Sequence, residues 1–137
     1  MDKTSVDEFI DGWGAQSLEA REFFAQLKIG LEKFADTSLC LLARPGVSFS
    51  LRPQRSSQVS RDFFAIIDVI DDDPADRWLS ICFYADTITD PEGKGDIIPG
   101  GLAGKDGCCF DVYSFEAEIF DYIMARLAEA WENVDGQ

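Results

Sequence analysis

The chain has 137 residues, 46% hydrophobic and 12% aromatic, with 26 acidic residues against 12 basic ones, no histidine and a formal net charge of −14. Such length and bulk suit one folded domain over residues 1–137 and exclude disorder, collagen-like repeats and disulfide-dense miniproteins. The acidic surface disfavours nucleic acid and anionic membranes as partners, and no apolar run approaches the roughly 20 residues of a bilayer span.

In chain order, Ser5 and Glu8 stand at capping-box spacing and open a short helix that ends where Gly12 and Gly14 flank Trp13. Ser17 is placed to cap a second helix over residues 18–35, in which Ala20, Phe23, Phe24, Leu27, Leu31 and Phe34 recur at three- and four-residue steps. Residues 39–43 read as a candidate edge strand. The period then becomes two: Val47, Phe49 and Leu51 alternate with Ser48, Ser50 and Arg52. An apolar run over residues 63–70 is interrupted by Asp68 and stopped by the turn residues Asp71, Asp72, Asp73 and Pro74. Residues 78–85 and 109–113 alternate again as strands. Ser114 is placed to cap a final helix whose stripe runs from Phe115 through Ile119, Ile123 and Leu127 to Val134.

Strands joined without intervening helices indicate an antiparallel sheet. The expected fold is therefore an α+β two-layer sandwich, with four to five strands and the N- and C-terminal helices packed on one face. Strand parity puts Leu79, Ile81, Phe83, Phe110 and Val112 under the helices. The reverse face then carries Trp78, Ser80, Cys82, Tyr84, Arg52, Asp111 and Tyr113, a mixed aromatic and polar set expected to lie open to a partner or ligand.

Residues 86–107 hold six glycines and two prolines yet also Ile97, Ile98 and Leu102. A loop this long is expected to be ordered and to lie against the sheet, either as a lid or as simple packing, with Gly95, Pro99, Gly100 and Gly101 as its candidate site residues. The chemical motifs fail on detail. Gly93-Lys94-Gly95 lacks the third glycine of a dinucleotide cradle, and Gly101-Leu102 replace the Lys and Ser/Thr of a phosphate loop. A calcium loop starting at Asp90 has Lys94 and Gly101 where ligands belong. The four cysteines, Cys40, Cys82, Cys108 and Cys109, have no zinc spacing and are expected as free thiols in a reducing cytoplasm, although Cys82 and Cys109 share a face and would meet if their strands pair.

Without histidine, Ser-His and Cys-His nucleophile systems are excluded. No catalytic residues, metal or cofactor are expected. Asp68, Asp111 and Tyr84 are the groups that could converge for acid–base work, but pairing of a buried or edge aspartate with Arg52 or Arg77 explains them without chemistry and is the preferred reading. Charge is also divided along the chain: residues 37–61 carry four arginines and no acid, while residues 62–137 are net −14. Three functions fit. The first is a protein-interaction or regulatory module, homodimeric through the open sheet face. The second is a small-molecule binder or minor enzyme with a pocket under residues 86–107, and the third an acidic inhibitor or immunity-type protein for a basic partner.

Overall fold

A computed structural model describes residues 3–135. Two helices, α1 (Lys3–Asp11) and α2 (Leu18–Glu32), precede six strands: β1 (Thr37–Arg44), β2 (Ser48–Arg55), β3 (Ile66–Ile70), β4 (Trp78–Tyr84), β5 (Asp96–Leu102) and β6 (Lys105–Val112). Helix α3 (Ala117–Glu132) follows. The strands form one antiparallel sheet in the order β1-β2-β3-β4-β6-β5. The sheet thus has six strands rather than four to five.

Helix α2 buries Ala20, Phe23, Phe24, Leu27 and Leu31 of the predicted stripe but ends at Glu32, so that Phe34 lies beyond it and half-buried, and α3 buries Ile123, Leu127 and Ala130 from its own. These side chains share one core with Val6 and Ile10 of α1 and with Leu41, Leu51, Ile67, Val69, Leu79, Ile81, Phe83, Phe110 and Val112 of the sheet. The registers Leu51 to Ile67, Ile67 to Ile81 and Ile81 to Phe110 put these residues opposite one another across four strands, so they occupy the same face.

The caps differ from expectation. Ser5 lies inside α1 rather than before it. Ser17 stands at the start of α2 with φ at 53°, and its hydroxyl accepts from the Arg77 N–H at 2.9 Å instead of capping the helix. Helix α3 starts after Glu116, not after Ser114. Its entry is held from outside, because the Glu19 carboxylate accepts from the Phe115 N–H at 2.9 Å.

The largest departure is the long glycine-rich segment. Its second half is β5, which pairs with β6 at the edge of the sheet. To reach that edge the chain must leave β4 and pass the position of β6, and this detour explains the length. Its first half rests on α3: Thr89 Oγ1 donates to Glu129 at 2.6 Å, Asn133 Nδ2 donates to the Thr87 carbonyl at 3.2 Å, and the Tyr122 hydroxyl donates to Asp90. The segment is an added strand with an anchored approach, not a lid over the sheet.

Candidate functional site

The outer face of the sheet is organised in cross-strand rows set by the registers. One row runs Leu42, Ser50, Asp68, Ser80, Asp111; next to it Cys40 pairs with Arg52, and Ile66, Cys82, Cys109 and Asp96 run in a row, the two parts lying one residue beyond the last β2–β3 pair, Leu51 to Ile67. Arg44, Ser48, Ile70 and Trp78 form a third, which the Trp78 ring extends by stacking on Tyr113 at 5.2 Å. The face therefore gathers the residues that parity assigns to it, and Tyr113 is 66% exposed.

Tyr84 departs from the expectation of an uncovered face, being only 3% exposed. Phe63, from the segment between β2 and β3, stacks on it at 5.6 Å, and the Arg61 guanidinium lies 4.0 Å from its ring. Arg61 is fixed there by a bidentate pair with Asp86, both contacts 2.9 Å. Phe63, Tyr84 and Leu102 form a small second cluster, with Ile66 and Cys82 packed against it. One end of the outer face is thus covered by the chain itself, and Tyr84 does not converge with Asp68 and Asp111.

The remaining polar residues are partly committed to one another. Arg52 Nε donates to Ser50 Oγ at 3.1 Å and an Arg44 Nη donates to Ser48 Oγ at 3.3 Å, so both guanidinium groups lie over buried serines. Asp68 sits between them, and its Oδ1 is buried without a hydrogen-bond partner. Burial pushes its carboxyl above the ordinary range, opposed by the Ser50 hydroxyl and by Arg52 and Arg44. Asp111 is exposed. Arg77 does not serve this face; its Nε donates to Asp71 at 2.8 Å.

Cys82 and Cys109 stand directly opposite one another and are joined as a disulfide, with Cα atoms 4.1 Å apart. This corrects the expectation of four free thiols, which followed from the presumed compartment rather than from geometry. Cys40 and Cys108 are free.

Gly95 opens β5 where a Cβ would stand 2.6 Å from Cys108 Sγ and 2.9 Å from the Phe110 ring. Pro99, Gly100 and Gly101 lie in β5 around a register shift between Ile98 and Leu102, and the Gly100 N–H donates to Asp106 at 2.9 Å. Asp90 is occupied as an anchor: besides Tyr122 it accepts from the N–H groups of Lys94 at 3.0 Å and Gly95 at 2.9 Å. Beside this anchor a cleft of about 310 Å³ opens between β6 and α3, with Lys94 at its rim and Phe110, Val112, Ile119 and Tyr122 along its wall. Among the described residues no group of three or more acids and cysteines is placed to hold a metal ion. Among the described residues no helix is long and apolar enough to cross a membrane.

No protein-family model, no curated protein and no solved structure matches this chain.

Proposed function

We propose that the protein is a non-enzymatic interaction module, a two-layer sandwich whose open sheet face pairs with a second copy of itself. The observation that carries this reading is the stacked Trp78–Tyr113 pair at the end of the outer rows, in which Trp78 is half-buried and Tyr113 is 66% exposed. Aromatic residues and arginine are the types enriched at interface cores and hot spots.

Charge supports a second copy as the occupant. Across the outer face Arg44 and Arg52 mark the β1–β2 side, and Asp111 and Asp96 mark the β6–β5 side. Two such faces meet with opposite charges when the two-fold axis runs along the strands. That axis sets β1 over β5, β2 over β6 and β3 over β4 of the second copy. Asp111 of one copy then lands on Ser50 of the other, between Arg44 and Arg52. An axis across the strands would set arginine over arginine instead. Aligned face-to-face packing of twisted sheets is a standard solution for such surfaces.

Sedimentation equilibrium tests this. The native chain is expected to dimerise, and Trp78→Glu or Tyr113→Glu to give monomers. Arg52→Asp and Asp111→Arg should each weaken the dimer, while the double variant restores it. A native chain that stays monomeric, or single charge reversals without effect, would overturn the reading. Tyr84→Glu is not informative, because that residue lies within the protein's own second cluster.

A further inference from the structure

We infer that Cys82 and Cys109 form a reversible dithiol–disulfide site on the open face, whose exchange partners are neutral or cationic low-molecular-weight thiols. This goes beyond self-pairing, does not rest on it, and concerns the free monomer, because the proposed dimer would cover this face and set Arg52 of the second copy over Cys109.

The first ground is position in the ladder. The Ala85 N–H donates to the Asp106 carbonyl at 2.9 Å, which makes 85 and 106 a hydrogen-bonded pair. Alternation along the strands then makes Cys82 and Cys109 a non-hydrogen-bonded pair, the kind that brings opposed side chains closest. Neither thiol depends on a mobile loop to find the other. The strands carrying them are held independently by Leu79, Ile81, Phe83, Phe110 and Val112 in the core. Reduction therefore leaves two thiols side by side on an intact sheet, ready to close again. This is the arrangement that gives an intramolecular reaction a high effective concentration.

The second ground is access. Cys82 and Cys109 are half-buried on the outer face, whereas Cys108 points into the core, where burial raises its thiol pKa. Cys40 lies on β1, three strands away, too far to compete. Cys82 packs against the Phe63–Tyr84 cluster and Cys109 is not among its members, so Cys109 is taken as the sulfur attacked.

The third ground sets the class of thiol. Asp96 is the cross-strand neighbour of Cys109, and Asp111 lies two residues along on the same face. The cations on this side are already engaged: Arg61, over the Tyr84 ring, is held by the bidentate pair with Asp86, and Arg52, on β2, donates to Ser50. An incoming thiolate with added negative charge, such as glutathione, is repelled here, and one carrying an ammonium group is favoured.

The chemistry balances in two exchanges. A thiolate RS⁻ attacks Cys109 Sγ, the protein S–S bond breaks, and Cys82 leaves as a thiolate that takes up a proton. A second thiolate attacks the outer sulfur of the mixed disulfide, releasing RSSR and the Cys109 thiol. Two electrons pass from two thiols to the protein, and RSSR reverses the sequence.

The test uses the intact chain, diluted to where sedimentation shows it monomeric, with thiol alkylation read by mass spectrometry and far-UV circular dichroism recorded in parallel. On titration with cysteamine, Cys82 and Cys109 are expected to become alkylatable together, with an unchanged spectrum, and to close again when cystamine is added. Cysteamine should act about tenfold faster than glutathione at equal thiolate concentration and low salt, and Asp96→Asn should narrow that ratio. Alkylation of the pair without reductant, reduction only after unfolding, or failure to close again would each overturn the site. Equal rates with the two thiols would overturn the proposed selectivity.

Discussion

Asp71 shows how a residue from an apparently simple acidic turn becomes structural. Its carboxylate accepts from the Gly46 N–H at 2.9 Å and from Arg77 Nε at 2.8 Å, tying the β1–β2 turn to the start of β4. Burial alone would raise its pKa, but the Gly46 N–H and the Arg77 guanidinium hold it below the ordinary carboxylate range. A depressed folded-state pKa contributes stability that is complete above the unfolded value of about 4 and is lost as pH falls through the folded value. Asp71→Asn keeps an oxygen for Gly46 but leaves Arg77 without its counter-charge. The expected cost near neutrality is about 2 kcal/mol, less than for a fully buried pair because solvent reaches the guanidinium. Urea titrations at a series of pH values should show the gap between native and variant shrinking as the solution is acidified below pH of about 4.

Among the elements, β4 and the helical stripes were legible because period and burial agree. Leu79, Ile81 and Phe83 alternate cleanly with Trp78, Ser80 and Cys82, and the core takes the first set. Strand β5 was not legible. Its sequence, Asp-Ile-Ile-Pro-Gly-Gly-Leu, combines weak strand formers with a proline, which a sheet tolerates at an edge or a bulge, and it has both. The cover over Tyr84 was equally hidden, since Phe63 reads as part of a strand but precedes the start of β3 and folds back over the outer face. The open-face residues were found by parity, whereas their cross-strand rows needed the register. Gly95, immediately before β5, is a position that tolerates no side chain without displacement of its neighbours. A methyl group there meets the buried Cys108 sulfur and the Phe110 ring, neither of which has room to move. Gly95→Ala is expected to cost about 2 kcal/mol, read by thermal unfolding, with faster amide exchange concentrated in residues 96–102.

For the whole molecule, charge separates self-pairing from capture of a basic partner. Two chains of −14 repel at distances beyond the Arg52–Asp111 contacts, and that repulsion is screened over about 8 Å at physiological salt. Raising ionic strength from a few millimolar to about 0.15 M is therefore expected to strengthen the homodimer in sedimentation experiments. Complex formation with a basic protein would weaken over the same range, so the sign of the salt effect distinguishes the two. The sulfur bridge has a topological consequence at this scale as well. Cys82 and Cys109 are 27 positions apart in sequence, so the excursion that carries β5 is a closed covalent ring rooted in the middle of the sheet. A protease nick within residues 86–95 would leave a single molecule while the sulfurs stay joined. The same ring would tether new chain ends introduced there by circular permutation.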